Sequence, residues 1–110
     1  MHRGGGPGLF ESVYLACLLH ELREAELDYE TQKPLPVVYK GVTLDCGFRA
    51  DLIVQKIVVV EVKSTAQTAP VHRAQLKTYL VLSGCPVGLV INFNVPILNA
   101  GLTRVLNTKA

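Results

Sequence analysis

Three ionisable side chains bracket one of the most apolar stretches of this sequence. In DLIVQKIVVVEVK, residues 51–63, Asp51 opens the run and Glu61 and Lys63 close it. Two carboxylates and an ammonium gathered in a partly buried place are costly to desolvate unless something compensates them. A divalent cation offsets the carboxylate repulsion, and hard oxygen donors of this kind suit Mg2+ or Mn2+. Such a site can activate water and neutralise the charge that builds on a phosphodiester during hydrolysis. Lys63 would then orient or deprotonate the water and help to stabilise the charged phosphate. The plain alternative is a Glu–Lys pair on a solvated strand end, worth ~0–1 kcal/mol.

Which alternative holds depends on strand parity. Glu61 and Lys63 are two apart and share one face of an extended segment. A two-residue turn at Gln55-Lys56 would pair Val54 with Ile57, and so Asp51 with Val60, turning Glu61 away. One extra residue, in a three-residue loop or a β-bulge, restores the parity and sets Asp51 against Glu61. The turn lacks the Asn-Gly or Asp-Gly of a tight two-residue connection, which favours the longer loop.

Other candidates lie outside this stretch. Glu11 precedes Tyr14, Leu15 and Leu18 at helical spacing, which puts it on or beside an apolar helix face. It could serve the same site, or simply favour a positive helix N-terminus. His72, Gln75 and Tyr79 follow at steps of three and four and can share a helix face turned to a nucleophilic water or a phosphate. Equally, Tyr79 could be core and His72 an exposed first-turn residue. Arg49, Arg73 and Lys77 could contact a phosphate backbone, positioning it without reading sequence, or could be ordinary solvated surface.

The elements that must position these residues can be read in outline. Leu15, Leu18, Leu19 and Leu22 recur at helical spacing, predicting a helix over about 8–27, with Pro7 tolerated at its first position. Val37–Tyr39 and the segment resuming at Val42 flank a Lys40-Gly41 turn signal, and 46–54 and 57–63 read as two further strands. TAPVHRAQLKTYLVLSG predicts the second helix, with Pro70 in its first turn and Gly84 as its stop. PVGLVINF reads as a central buried strand and GLTRVL as an edge strand. The order is helix, three strands, helix, strand: an α/β (α+β) chain with a mixed sheet flanked by helices.

Composition narrows the class. With 110 residues and 49% hydrophobic content, one soluble globular domain over 1–110 is expected, with 1–6 flexible. No apolar stretch approaches the ~20 residues of a membrane span, so no membrane partner is expected. The start MHRGGGPG carries no apolar signal segment. Three cysteines with no CxxC pair argue against zinc, iron–sulfur or a disulfide framework. A reduced, cytoplasmic setting with buried thiols is the default. Net charge is +2, unevenly spread: residues 21–30 hold five of the nine acids, whereas residues from 31 onward carry nine Lys/Arg against three acids. Two of those three are Asp51 and Glu61. A basic body of this kind suits a polyanion, though many inert proteins share it.

Taken together, the motifs resemble a known family. GLFESVY matches G-x-x-E-x-x-Y at Gly8, Glu11 and Tyr14, the signature of the GxxExxY proteins. FRADLIV, VVVEVKS, HRAQLKTYL and GLVINFNVP follow in that family's order over about residues 7–106. The family is placed in the PD-(D/E)XK nuclease-like superfamily, which implies an αβββαβ restriction-endonuclease-like core. The resemblance further implies a metal site from Asp51, Glu61 and the Val62 carbonyl, supported by Glu11, with Lys63 as the catalytic lysine. Gln75 and Tyr79 match the QxxxY element of some branches. Ala50 stands where the proline of "PD" would be, a common replacement. Only MHRGG precedes the GPG turn, where relatives usually carry another helix, so a second copy or a partner protein covering the first helix is expected. The implied activity is Mg2+-dependent phosphodiester hydrolysis in DNA, or RNA. The alternative is a non-catalytic nucleic-acid- or protein-binding module that retains the fold.

Overall fold

A computed structural model describes residues 7–63, 70–93 and 102–107. The expectation for 1–6 lies outside them. Helix α1 spans Pro7–Glu24, followed by strands β1 (Tyr29–Pro34), β2 (Val37–Tyr39), β3 (Val42–Leu44), β4 (Arg49–Val54) and β5 (Val58–Lys63). Helix α2 spans Pro70–Ser83, and β6 (Val87–Asn92) and β7 (Leu102–Leu106) complete the order. Five strands form a mixed sheet in the order β1-β4-β5-β6-β7, in which β5 and β6 are parallel and the other neighbours antiparallel.

Alternation along the strands divides the core between two faces. Ile53, Val59, Val90 and Val105 pack with Leu76, Tyr79 and Leu80 of α2. Leu52, Val60, Val62 and Ile91 face Tyr14, Leu15, Leu18, Leu19 and Leu22 of α1. The α2 face is the tighter: a Cβ on Gly88 would come within 2.8 Å of the Leu76 side chain, so glycine lets the helix settle onto β6. The α1 face is looser. Its leucines are only half-buried, and a cavity of about 220 Å³ lies between Leu18, Leu22 and the sheet.

Helix α1 stops short of the expected residue 27. Glu26 N–H donates to Arg23 O and Leu27 N–H to Leu22 O, both at 3.0 Å, closing a Schellman motif with Glu26 at φ 59°. Glycine ordinarily takes that left-handed position. Helix α2 ends as read: Gly84 is left-handed, φ 76°, and its N–H donates to Leu80 O at 2.9 Å.

The strand assignment needs one correction. The first strand of the main sheet is β1, whose polar YETQKP gives little hydrophobic signal because four of its six residues are exposed. The apolar 37–44 segment forms a separate two-stranded sheet, β2 with β3. The thiols also differ from expectation: Cys85 is buried, but Cys17 and Cys46 are exposed.

Candidate metal and nucleic-acid site

The β4–β5 turn settles the parity. Ile57 N–H donates to Val54 O at 2.9 Å across Gln55 and Lys56, both left-handed at φ 56° and 58°. Ile57 is then one residue more than the turn requires, and Val54 pairs with Val58, Ile53 with Val59 and Leu52 with Val60. That register, extended by one step, sets Asp51 against Glu61. Gln55 anchors the turn from both sides: its N–H donates to Asp28 O at 2.9 Å, and its Oε1 accepts Asp28 N–H at 3.0 Å.

At Leu52 and Val60 the two central strands part. Arg49 and Ala50 remain paired with β1, while Glu61, Val62 and Lys63 remain paired with β6. The carboxylates occupy the resulting notch and replace the missing ladder. Asp51 N–H donates to Glu61 Oε1 at 3.4 Å, and Val62 N–H donates to Asp51 Oδ2 at 3.3 Å. Both bonds are long and correspondingly weak. Glu61 is only 4% exposed. Desolvation, reinforced by the Asp51 charge, raises its pKa from 4.5 to about 8, against a smaller opposing pull from Lys63. Near neutrality this carboxyl therefore holds a proton.

Glu11 borders the notch from α1. With Ser12, Leu15, Gln32, Asp51 and Val62 it lines a cavity of about 110 Å³. Among the described residues no three His, Cys, Asp or Glu side chains cluster as a ready metal cage, so Glu11 adjoins the pair without completing a triad. From the other side, Gln75 Nε2 donates to the Tyr79 hydroxyl at 3.0 Å. Burial raises the Tyr79 pKa, with further contributions from the Glu61 and Asp51 charges, which places the ring beside the pair. Lys63 is half-buried and close enough to act on Glu61 electrostatically. His72 is half-buried on α2; Arg49, Arg73 and Lys77 are exposed, and the Arg49 backbone hydrogen-bonds Tyr79 beside the notch.

Sequence reasoning missed Gln32 and Asn92. Gln32 lies between the Thr31↔Leu52 and Lys33↔Ala50 pairs, lines the same cavity as Asp51, and is left-handed at φ 49°, a conformation glutamine does not advertise. Asn92 is buried, 1% exposed, and in register with Lys63. It is the first polar residue after Gly88-Leu-Val-Ile, a signal that was available.

The donor set fits a hard divalent cation. Two crowded carboxyls, one of them kept protonated by its surroundings, supply oxygen donors of the type Mg2+ takes, usually one or two carboxylates with waters. A mixed sheet between two helices, split at its centre around an acidic pair, is the architecture of restriction-endonuclease-like proteins. The sequence model of the PD-(D/E)XK nuclease superfamily matches residues 1–105, and the chain belongs to that superfamily. Comparison with curated proteins gave no match. Among solved structures, the chain is similar to an alkaline exonuclease from Laribacter hongkongensis, with a TM-score of 0.59 at 11% identity. The likeness covers 96% of this chain and 60% of the exonuclease, and at that identity it speaks for the fold alone. Among the described residues no helix is long and apolar enough to cross a membrane.

Proposed function

We propose that this chain is a metal-dependent nuclease of the GxxExxY type, acting on phosphodiester bonds of DNA in the cytoplasm. The observation that carries the reading is the convergence of Asp51 and Glu61 in a buried notch where two strands separate. Asp51, Glu61 and the Val62 carbonyl would hold Mg2+ or Mn2+, with Glu11 in support from α1. When bound there, the ion would lower the pKa of a water and neutralise charge on the phosphate. Glu61 would give up its proton to hold the ion. Lys63, on the Glu61 side of β5, orients the attacking water and steadies the negative charge of the phosphate. The Tyr79 hydroxyl, held by Gln75, walls the notch and positions the groups within it. Arg49, Arg73, Lys77 and His72 contribute backbone contacts that carry no sequence information. A second copy packed on the half-buried stripe of α1 would complete the assembly.

The test is cleavage of single-stranded, duplex and branched DNA and of RNA, with Mg2+, with Mn2+ and with chelator. Lys63→Ala should lower the rate about 10²–10⁴-fold, the range of a positioned acid–base group. Calorimetry should show Mn2+ binding to the native protein and none to Asp51→Ala. Metal-independent cleavage, or undiminished cleavage by Lys63→Ala, would overturn the assignment.

A further inference from the structure

The β2–β3 hairpin has no evident structural purpose. Its three ladder pairs, Val37↔Leu44, Val38↔Thr43 and Tyr39↔Val42, form a sheet separate from the main one, and its principal contacts are internal. Val38 is 69% exposed, Tyr39 60%, Val42 57% and Leu44 40%, although apolar strand residues ordinarily point into a core. By that register Tyr39, Val42 and Leu44 share one face of the ribbon, with Val38 on the other, and form an exposed apolar patch that a partner would cover.

Topology fixes where that patch lies. The hairpin is inserted between Pro34 and Arg49, the last register pair of β1 and β4, and Asp51 is two residues further along β4. Leu35 N–H donates to Phe48 O at 2.9 Å, carrying the β1–β4 pairing one step beyond the sheet before the hairpin begins. The arm thus springs from the end of the sheet that bears the split and its carboxylates, not from the opposite end, where Gln55 and Lys56 turn.

Its chemistry is that of a base-stacking surface. Lys40, at the tip, places Nζ 5.5 Å from the centroid of the Tyr39 ring, and the ring keeps most of its surface open. Between Pro34 and Arg49 inclusive the charges are Lys40 and Arg49 against Asp45, and Asp45 Oδ1 is engaged by Gly47 N–H at 2.9 Å. An aromatic face beside an ammonium, with aliphatic side chains around it, can stack one base, meet its phosphate and wedge between neighbouring bases.

We propose that the β2–β3 hairpin is a substrate-gripping arm that binds an unpaired nucleic-acid strand, stacking a base on Tyr39 with Lys40 at the adjoining phosphate. This rests on nucleic acid being the substrate of the notch.

The experiment measures binding in chelator, where metal-dependent cleavage is suppressed, using a fluorescein-labelled oligothymidylate. Tyr39→Ala should weaken binding about 5- to 100-fold, the value of one stacked base, and Tyr39→Phe should restore it. The chain has no tryptophan, so Tyr39→Trp introduces a unique reporter whose emission should be quenched by the unlabelled oligonucleotide. Native-like binding by Tyr39→Ala, or unquenched Tyr39→Trp emission, would overturn the proposal. So would a Tyr39→Ala variant that loses self-association in light scattering but binds the oligonucleotide normally, which assigns the arm to a protein contact. The two readings fail separately. Quenching without any metal-dependent cleavage by the native protein removes the nuclease and keeps the arm; cleavage with no Tyr39 effect does the reverse.

Discussion

The protonated Glu61 makes the metal-free protein sensitive to pH in an unusual direction. Its carboxyl titrates near 4.5 in the unfolded chain and at about 8 in the folded one. Between those values the folded state holds the extra proton, so stability is full below 4.5 and is lost as pH rises through about 8. At ~1.4 kcal/mol per pH unit the window corresponds to at most ~5 kcal/mol. A domain of this size has only ~5–15 kcal/mol in total, so the metal-free protein should be markedly weaker at pH 8.5 than at pH 5. The other shifted groups act elsewhere: Glu30 is lowered by its Lys33 hydrogen bond and acts below 4.5, and Tyr79 is raised above 10. Glu61→Gln keeps the shape and the acceptor for Asp51 N–H while removing the ionisation. Urea unfolding followed by circular dichroism, in chelator, should show native stability falling from pH 5 to pH 8.5 and a flat profile for Glu61→Gln. Asp51→Asn should retain part of the slope, because desolvation is the larger cause. Native stability that is flat or rising across this window, or a Glu61→Gln slope equal to the native one, would refute the reasoning.

Deleting Val58, with the three-residue turn kept, should pair Val54 with Val59 and so Leu52 with Glu61, turning Glu61 away from Asp51 and abolishing Mn2+ binding in calorimetry. Gly88→Ala should cost about 1–3 kcal/mol in urea unfolding, since the added methyl meets Leu76 at 2.8 Å. Glu26→Gly should stabilise by about 0.5–1 kcal/mol and raise Tm by a few degrees, because it relieves a left-handed non-glycine residue at a helix end that is already closed.

Much of the site was legible because strand parity is a counting problem. Asp51, Glu61 and the turn between them leave only two arrangements, and the missing Asn-Gly favoured the one observed. Tyr79 and Gln75 were legible for a similar reason, through helical spacing. What failed was the equation of apolar with buried. Val38, Tyr39 and Val42 look like core strand yet stand in solvent, while Tyr29–Pro34 look like a loop and form the sheet edge. β1 is a strand because β4 offers it a row of backbone partners, and that depends on tertiary position, not on its own side chains. The separation of β4 from β5 was likewise invisible, since it arises from each strand holding a different neighbour.

The reciprocal bonds across that separation give the site a gauge. Asp51 and Glu61 oxygens close the gap by taking the Val62 and Asp51 amides, so the same lone pairs cannot serve the sheet and an incoming cation at full strength. Loading the site must loosen one set of bonds as it forms the other. The exchange rates of those two amide hydrogens would then read out occupancy residue by residue, with no substrate present and no bond cleaved.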